Sequence, residues 1–243
     1  MIDINCDMGE VNELLKDKTY SKLMDYVTSI NIACGGHAGD SQSMIEFVEI
    51  SIKNDVEIGA HPSYPDKESF GRKKIDISRS DLYYSLIDQI ETLNSIAISY
   101  GKKLHHIKAH GALYNEMFSD KDLSDFYLDT IIGYKEECYI YIPYNSEIEK
   151  SALEKGFKVM YEAFGDRAYN DNLTLVSRNE KAALINNPKS VINQIASIID
   201  SKKIKSINGV YKSIKADTIC IHSDTDNSIE ILKEINKAFK NKK

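Results

Sequence analysis

The feature that most constrains this chain is an alternation of short apolar strands with amphipathic helices, met seven times in its 243 residues. Periodicity predicts strands at 2–7, 28–34, 56–60, from Leu104 onward, 138–142, 158–163 and 218–222. Between them lie helical patterns. One opens at Asp40 and carries Met44, Phe47, Val48 and Ile52 on one face. A longer one is capped by Ser78-x-x-Asp81, aligns Leu82, Leu86, Ile90, Leu93, Ala97 and Tyr100, and ends at Gly101. Others run over 121–133, from Ser146-x-x-Glu149 to Gly156, over 188–200 and over 227–239. Strands that alternate with helices pair in parallel through right-handed crossovers. Seven units make either an open doubly wound sheet or a closed barrel short of the usual eight strands. No strand is followed by a glycine-rich dinucleotide fingerprint, which favours a β/α barrel. With no internal repeat and no linker-like break, residues 1–243 are expected to form a single domain.

Composition narrows the function. Hydrophobic content of 42% with 28% charged residues belongs to a globular chain, and a net charge of −6 offers no general attraction to nucleic acid or an anionic membrane. Met1-Ile2-Asp3-Ile4-Asn5 is not a signal-peptide start, and no apolar run of about 18 residues exists to span a membrane. Cys6, Cys34, Cys138 and Cys220 form no Cys-x-x-Cys pair and each falls in or at the end of a strand. They read as small apolar residues in a reducing compartment, which points to the cytoplasm. The terminal lysines Lys233, Lys237, Lys240, Lys242 and Lys243 read as a fraying helix end.

Chemistry gathers where the strands end. Asp7 and Glu10 follow the first strand, His37 and Asp40 the second, and His61 and Asp66 the third. The fourth delivers Lys108 and His110, the sixth Glu162, Asp166 and Arg167, and the last His222 and Asp224; the fifth offers only Pro143, Tyr144 and Asn145. Every histidine except His105 lies at or beyond a strand end and none in a helix, which favours a catalytic mouth at the C-terminal rim of the sheet. In Leu104–Asn115, alternation puts His106, Lys108 and His110 on one face. A lysine desolvated beside other cations titrates below its solution value, as proton-transfer chemistry requires. The loop Cys34-Gly35-Gly36-His37-Ala38-Gly39-Asp40 can present backbone N–H groups to an anion, but no Walker A run occurs, so nothing reads as a self-sufficient ATP site. A metal is not favoured. On a strand, His106 and His110 are about 13 Å apart, too far to share one ion, although Asp7, His37 and His61 could gather one from different strands.

Several blocks resemble the LamB/YcsF family: Asn5-Cys6-Asp7-Met8-Gly9-Glu10, Asn31 to Asp40, Gly59 to Asp66, Phe70-Gly71-Arg72, Lys108-x-His110-Gly111-x-Leu113-Tyr114-Asn115, Glu162-x-Phe164-x-Asp166-Arg167-x-Tyr169 and Cys220-Ile221-His222. The resemblance implies a distorted seven-stranded parallel β/α barrel akin to NodB-type deacetylases. It also implies ATP-coupled opening of the 5-oxoproline (pyroglutamate) lactam to glutamate, as an ATP-dependent 5-oxoprolinase acting with partner subunits B and C, ATP being a co-substrate bound with those partners. Two departures stand out: Ser223 where the family usually has glycine in His-Gly-Asp, and Asn172 where a glycine usually follows the Asp-Arg pair. Asparagine is expected to accept a left-handed backbone there.

On this reading Asp7 or Glu10 is the general base, Lys108 flanked by His110 stabilises developing negative charge or protonates the departing nitrogen, and His37 and His61 bind or shuttle protons. Asn5, Glu162, Arg167 and His222 are assigned to substrate binding, with Arg167 as the carboxylate clamp. The competing reading of Glu162 and Arg167 is an ion pair that braces the rim. Two other functions remain open: a metal-dependent deacetylase-like hydrolase, and a non-catalytic lactam-binding subunit.

Overall fold

The computed structural model describes residues 2–239. In chain order these form β1 (Asp3–Met8), α1 (Asn12–Lys16), α2 (Thr19–Leu23), β2 (Ser29–Ala33), α3 (Ser41–Asn54), β3 (Glu57–His61) and α4 (Arg79–Ser99). Next come β4 (His106–Ile107), α5 (Gly111–Glu116), α6 (Lys121–Thr130), β5 (Tyr139–Pro143), α7 (Glu147–Lys155) and β6 (Lys158–Phe164). The chain finishes with α8 (Pro188–Ser201), β7 (Lys203–Lys205), β8 (Tyr211–Ser213), β9 (Thr218–Cys220) and α9 (Ser228–Phe239). Strands β1, β2, β3, β4, β5, β6 and β9 close into a barrel in that order, every pairing parallel. The expected seven-stranded β/α barrel is therefore present.

Local sequence explains most elements. Asp40 and Ser43 cap α3 reciprocally, and Ser78 and Ser146 accept the N–H of Asp81 and Glu149 at the starts of α4 and α7. The α4 stripe from Leu82 to Ala97 is buried, but Tyr100 is exposed past the helix end, its hydroxyl bonded to Glu49. Three features escaped periodicity. Helices α1 and α2 are too short for a 3.6-residue repeat to show, the β7–β8 hairpin stands apart from the barrel, and β4 shrinks to two residues before the chain turns into α5. Of the terminal lysines, Lys233 and Lys237 lie on α9, whereas Lys240, Lys242 and Lys243 fall outside the described residues.

The barrel is apolar outside and polar inside. Ile4, Cys6, Met8, Ile30, Ile32, Ile58, Ile107, Ile140, Ile142 and Ile219 belong to the buried core against the helices. The alternate positions form a hydrogen-bonded ladder. Asp3 accepts from Ser29, Tyr141 and Thr218, Asn5 donates to Thr218, and Asn31 donates to both Asn5 and Asp7. His106 sits in this ladder rather than at the strand's end. It lies at the start of β4, stacked on Tyr141 with centroids 3.8 Å apart, its Nε2 donating to Asn31 over 2.6 Å. Burial above all, and the facing His105, push its imidazole well down, so it is neutral. A fully satisfied buried polar network of this kind fixes one register rather than several.

The four cysteines are free and buried. Among the described residues no helix is long and apolar enough to cross a membrane.

Candidate active site

A cavity of about 630 Å³ opens at the C-terminal rim of the barrel, lined by Asp7, Glu10, His61, Lys108, His110, Glu162, Arg167 and His222 among others. Eight of the ten residues singled out from sequence thus share one cleft. The other two, Asn5 and His37, lie just behind its wall.

Lys108 stands at the floor. Its Nζ is 2.9 Å from Asp7 Oδ1, 2.9 Å from Glu162 Oε1 and 3.3 Å from Cys220 Sγ. This reverses one expectation. Burial alone would lower the ammonium's pKa, but the Asp7 carboxylate, Cys220 and Glu162 outweigh it and hold Lys108 well above its ordinary value. The neighbours proved to be anions because the histidines of the mouth face elsewhere: His61 Nδ1 bonds the Lys108 carbonyl, not its amine. Lys108 is a fixed cation, suited to stabilising an oxyanion through its N–H groups and unsuited to accepting a proton. Burial likewise opposes ionisation of Asp7, yet Lys108 and His61 keep it well below the usual carboxylate range.

Glu10 is placed by two local devices. Gly9 takes φ +81°, which turns the chain after β1, and the Tyr20 hydroxyl on α2 accepts the N–H of Glu10 and Val11. The carboxylate then meets three histidines, with Oε1 2.9 Å from His37 Nε2, 3.0 Å from His110 Nδ1 and 3.5 Å from His61 Nε2. Burial would raise its pKa, but His110 and His37 hold it well below the ordinary value. Burial and the nearby His110 push His37 down to about 3, so it is a neutral imidazole.

The glycine loop that carries His37 is built for close packing. A Cβ at Gly36 would collide with Gln89 and Ser63, one at Gly39 with the Ala33 carbonyl, and the Gly35 N–H is already bonded to Ala38 over 2.7 Å. Its glycines let α4 and the β3 loop approach, which fixes His37 behind Glu10.

Asn5 lies a layer below the cleft. Its Nδ2 donates to Thr218 and its Oδ1 accepts from Asn31 at 2.7 Å, with Lys108 Nζ 3.4 Å away, so its amide is committed to positioning the floor. Glu162 pairs with Lys108, and no ion pair joins it to Arg167 among the described residues. Arg167 instead donates to the carbonyls of Val176 and Ala183, bracing the long loop after β6 while lining the cavity. Burial and the facing Arg178 push its guanidinium down to about 10, so it stays charged at neutral pH. Arg72 and Arg178 join it at the mouth, where Asp224 ties both at 3.0 and 3.2 Å.

Sequence reasoning noted Asp166 without giving it a role. Its carboxylate takes the backbone N–H of His222 at 2.8 Å, the Thr225 hydroxyl at 2.6 Å and His222 Nδ1 at 3.0 Å. It therefore fixes the His222 ring, which also stacks near Phe164 and lines the cavity. The run Asp166-Arg167 was visible, but nothing local reveals a partner 56 residues away. Burial would raise the Asp166 pKa, and the His222 and Thr225 contacts more than offset it, leaving it lowered. A carboxyl whose folded pKa is depressed binds fewer protons folded than unfolded, so its stabilisation is lost as pH falls below the ordinary carboxylate range. Asp166→Asn is expected to lose about 1.5–3 kcal/mol at neutral pH, with the gap to the parent narrowing toward acid in urea titrations. A gap unchanged by pH would contradict this.

The two departures from the family pattern are accommodated in different ways. Ser223 is buried at negative φ. The left-handed residue in the other loop is Leu173 (φ 71°), not Asn172, whose side chain instead accepts from the Thr174 N–H and hydroxyl. An Asx turn at Asn172 shifts the bend one residue on.

Comparison with known proteins agrees with this geometry. The model of the LamB/YcsF family matches residues 2–243. A 5-oxoprolinase subunit from Pyrococcus horikoshii is 36% identical over 238 residues, covering 98% of this chain and 93% of the relative. The corresponding 5-oxoprolinase subunit from Acinetobacter baumannii is 38% identical over 230 residues, covering 95% and 91%. Among solved structures, a lactam utilization protein from Thermus thermophilus superposes with a TM-score of 0.87 at 27% identity, covering 98% of this chain and 96% of that one.

Proposed function

We propose, starting from the fact that this chain belongs to the LamB/YcsF family, that it supplies the lactam-opening centre of an ATP-dependent 5-oxoprolinase and works with partner subunits B and C. The observation that carries the reading is the buried Asp7–Lys108–Glu162 cluster at the floor of a cavity whose rim bears Arg72, Arg167 and Arg178. A cation fixed between two carboxylates, under a ring of guanidinium groups, suits a small substrate that is itself an anion and develops more negative charge as it reacts. The names of the relatives support the same substrate class.

A five-membered lactam is a poor electrophile with a poor amine leaving group. Transfer of the ATP γ-phosphoryl group to the amide oxygen makes the carbon electrophilic. Water then adds to that carbon, and the C–N bond breaks to leave an acyl phosphate while the ring nitrogen takes up the proton that completes the amine. A second water hydrolyses the acyl phosphate to the carboxylate of glutamate and free phosphate. In this reading Arg167 holds the substrate carboxylate and Lys108 Nζ donates toward the developing anion or the departing nitrogen. Glu10, backed by His37, takes the proton from water, while Asp7, which already accepts from Lys108 and Asn31, orients Lys108. His61, His110 and His222 present ring nitrogens to the same space. With no Walker A run in the sequence, the nucleotide site is assigned jointly with the partners.

The test is 5-oxoproline turnover by this chain alone and with both partners, each with and without ATP. Turnover only in the complete mixture is expected. Turnover without ATP or partners would replace this reading with a simple hydrolase. Full turnover after loss of the floor residues would reduce the chain to a binding role.

A further inference from the structure

We propose that Glu10, His61 and His110 bind one divalent transition-metal ion of the zinc class at the cavity wall, with His37 orienting the Glu10 carboxylate from behind. Ligand atoms of these four residues lie within 4.8 Å of one another. The decisive point is where the ring protons sit. His61 Nδ1 is 2.8 Å from the Lys108 carbonyl, and His110 Nε2 is 3.0 Å from the Phe70 carbonyl. A carbonyl only accepts, so each ring carries a proton on that nitrogen. When both rings are neutral, the form that takes up an ion in exchange for a proton, the opposite nitrogens, His61 Nε2 and His110 Nδ1, are bare lone pairs. They face each other at 3.1 Å, and Glu10 Oε1 lies 3.5 and 3.0 Å from them.

In that form three acceptors meet with no donor between them among the described residues, and a positive charge at their common point, a proton or a metal ion, removes the conflict. Ligands about 2.0–2.1 Å from a tetrahedral zinc are separated by about 3.3 Å, close to the spacings found here. The His61 and His110 rings stand 87° apart, so their planes intersect and one ion can lie in both. Holding the far N–H on a backbone carbonyl is how proteins orient metal-bound histidines. His37 plays the outer part. Its ring is parallel to that of His110, 1° off with centroids 3.6 Å apart, so no single point lies in both ring planes. Its Nε2 donates instead to Glu10 Oε1, leaving a buried Nδ1 without a partner among the described residues. Glu10, His61 and His110 line the cavity whereas His37 does not, so the remaining coordination positions face the cavity. A second cluster, Asp7, Cys220 and His222, is unsuited, because the Lys108 ammonium already sits 2.9 Å from Asp7 Oδ1 and 3.3 Å from Cys220 Sγ.

This inference stands on the geometry of the three side chains and not on the lactam reading; ion binding and turnover are measured separately, so either can fail alone. Full-length protein, stripped with chelator, is titrated with Zn²⁺ by calorimetry. One ion per chain is expected, with affinity lost about 100-fold or more in Glu10→Gln and His110→Ala and about 10- to 100-fold in His37→Ala. Long-range ¹H–¹⁵N spectra of the parent need no variant. On adding Zn²⁺, His61 Nε2 and His110 Nδ1 are expected to shift while the protons on His61 Nδ1 and His110 Nε2 persist. The competing occupant is a proton. Absence of Zn²⁺ uptake, or a doubly protonated His110 that Zn²⁺ leaves unchanged, overturns the proposal.

Discussion

Replacing Lys108 by methionine is expected to lower 5-oxoproline turnover, assayed with both partners and ATP, by about 10³-fold. The same change is expected to destabilise the protein by about 3–5 kcal/mol, because it strands two buried carboxylates. Asp7 and Glu162 each lie 2.9 Å from the lost ammonium, and both are shut away from water. Methionine keeps most of the volume, so the loss is one of charge. Two effects of this size need separating. The double change Lys108→Met with Glu162→Gln removes one stranded charge and is expected to regain part of the stability, read from urea unfolding, with no recovery of turnover. A Lys108→Met protein that turns over within about tenfold of the parent would leave the lysine no part in the chemistry.

Gly59→Ala is expected to be the most damaging single-methyl change in the barrel. Gly59 sits on β3 with its backbone against the His106 ring, and an added Cβ would fall inside that imidazole. His106 cannot step aside. It is stacked on Tyr141, bonded to Asn31 at 2.6 Å and wholly buried. Overpacking a filled core costs about 1–3 kcal/mol, occasionally more, and the upper end is expected here. Asn31 also donates to Asp7, so turnover is expected to fall along with stability. Thermal and urea unfolding measure the first effect. A loss below about 0.5 kcal/mol would mean that the interior ladder is looser than its hydrogen bonds imply.

How legible the molecule was depended on the range of each interaction. Ser78, Ser146 and Gly156 marked helix ends correctly because capping acts within one turn. The hairpin at β7 and β8 was missed because three-residue strands carry no period. Among the residues lining the cavity, Asp7, Glu10, His61, Lys108 and His110 were anticipated by one rule, that parallel strands deliver their C-terminal residues to a common rim. The same rule misplaced His106, whose side chain turns into the barrel interior to meet Asn31 and Tyr141 and does not line the cavity. It also gave no hint of Asp166 as the holder of His222, or of Asn31 as the link from His106 to Asp7.

By itself the sequence determined the closed parallel architecture and which residues reach the mouth, because strand and helix periodicity and rim placement are properties of consecutive residues. Only the tertiary structure decided what those residues do to one another. Lys108 rises rather than falls in pKa because two carboxylates, 101 positions before it and 54 after it, meet its amine. His61 Nε2 and His110 Nδ1 approach each other and Glu10 because the backbone carbonyls of Lys108 and Phe70 take the opposite ring nitrogens. Such meetings are set by how far each strand is staggered around the barrel, and stagger leaves no trace in local periodicity.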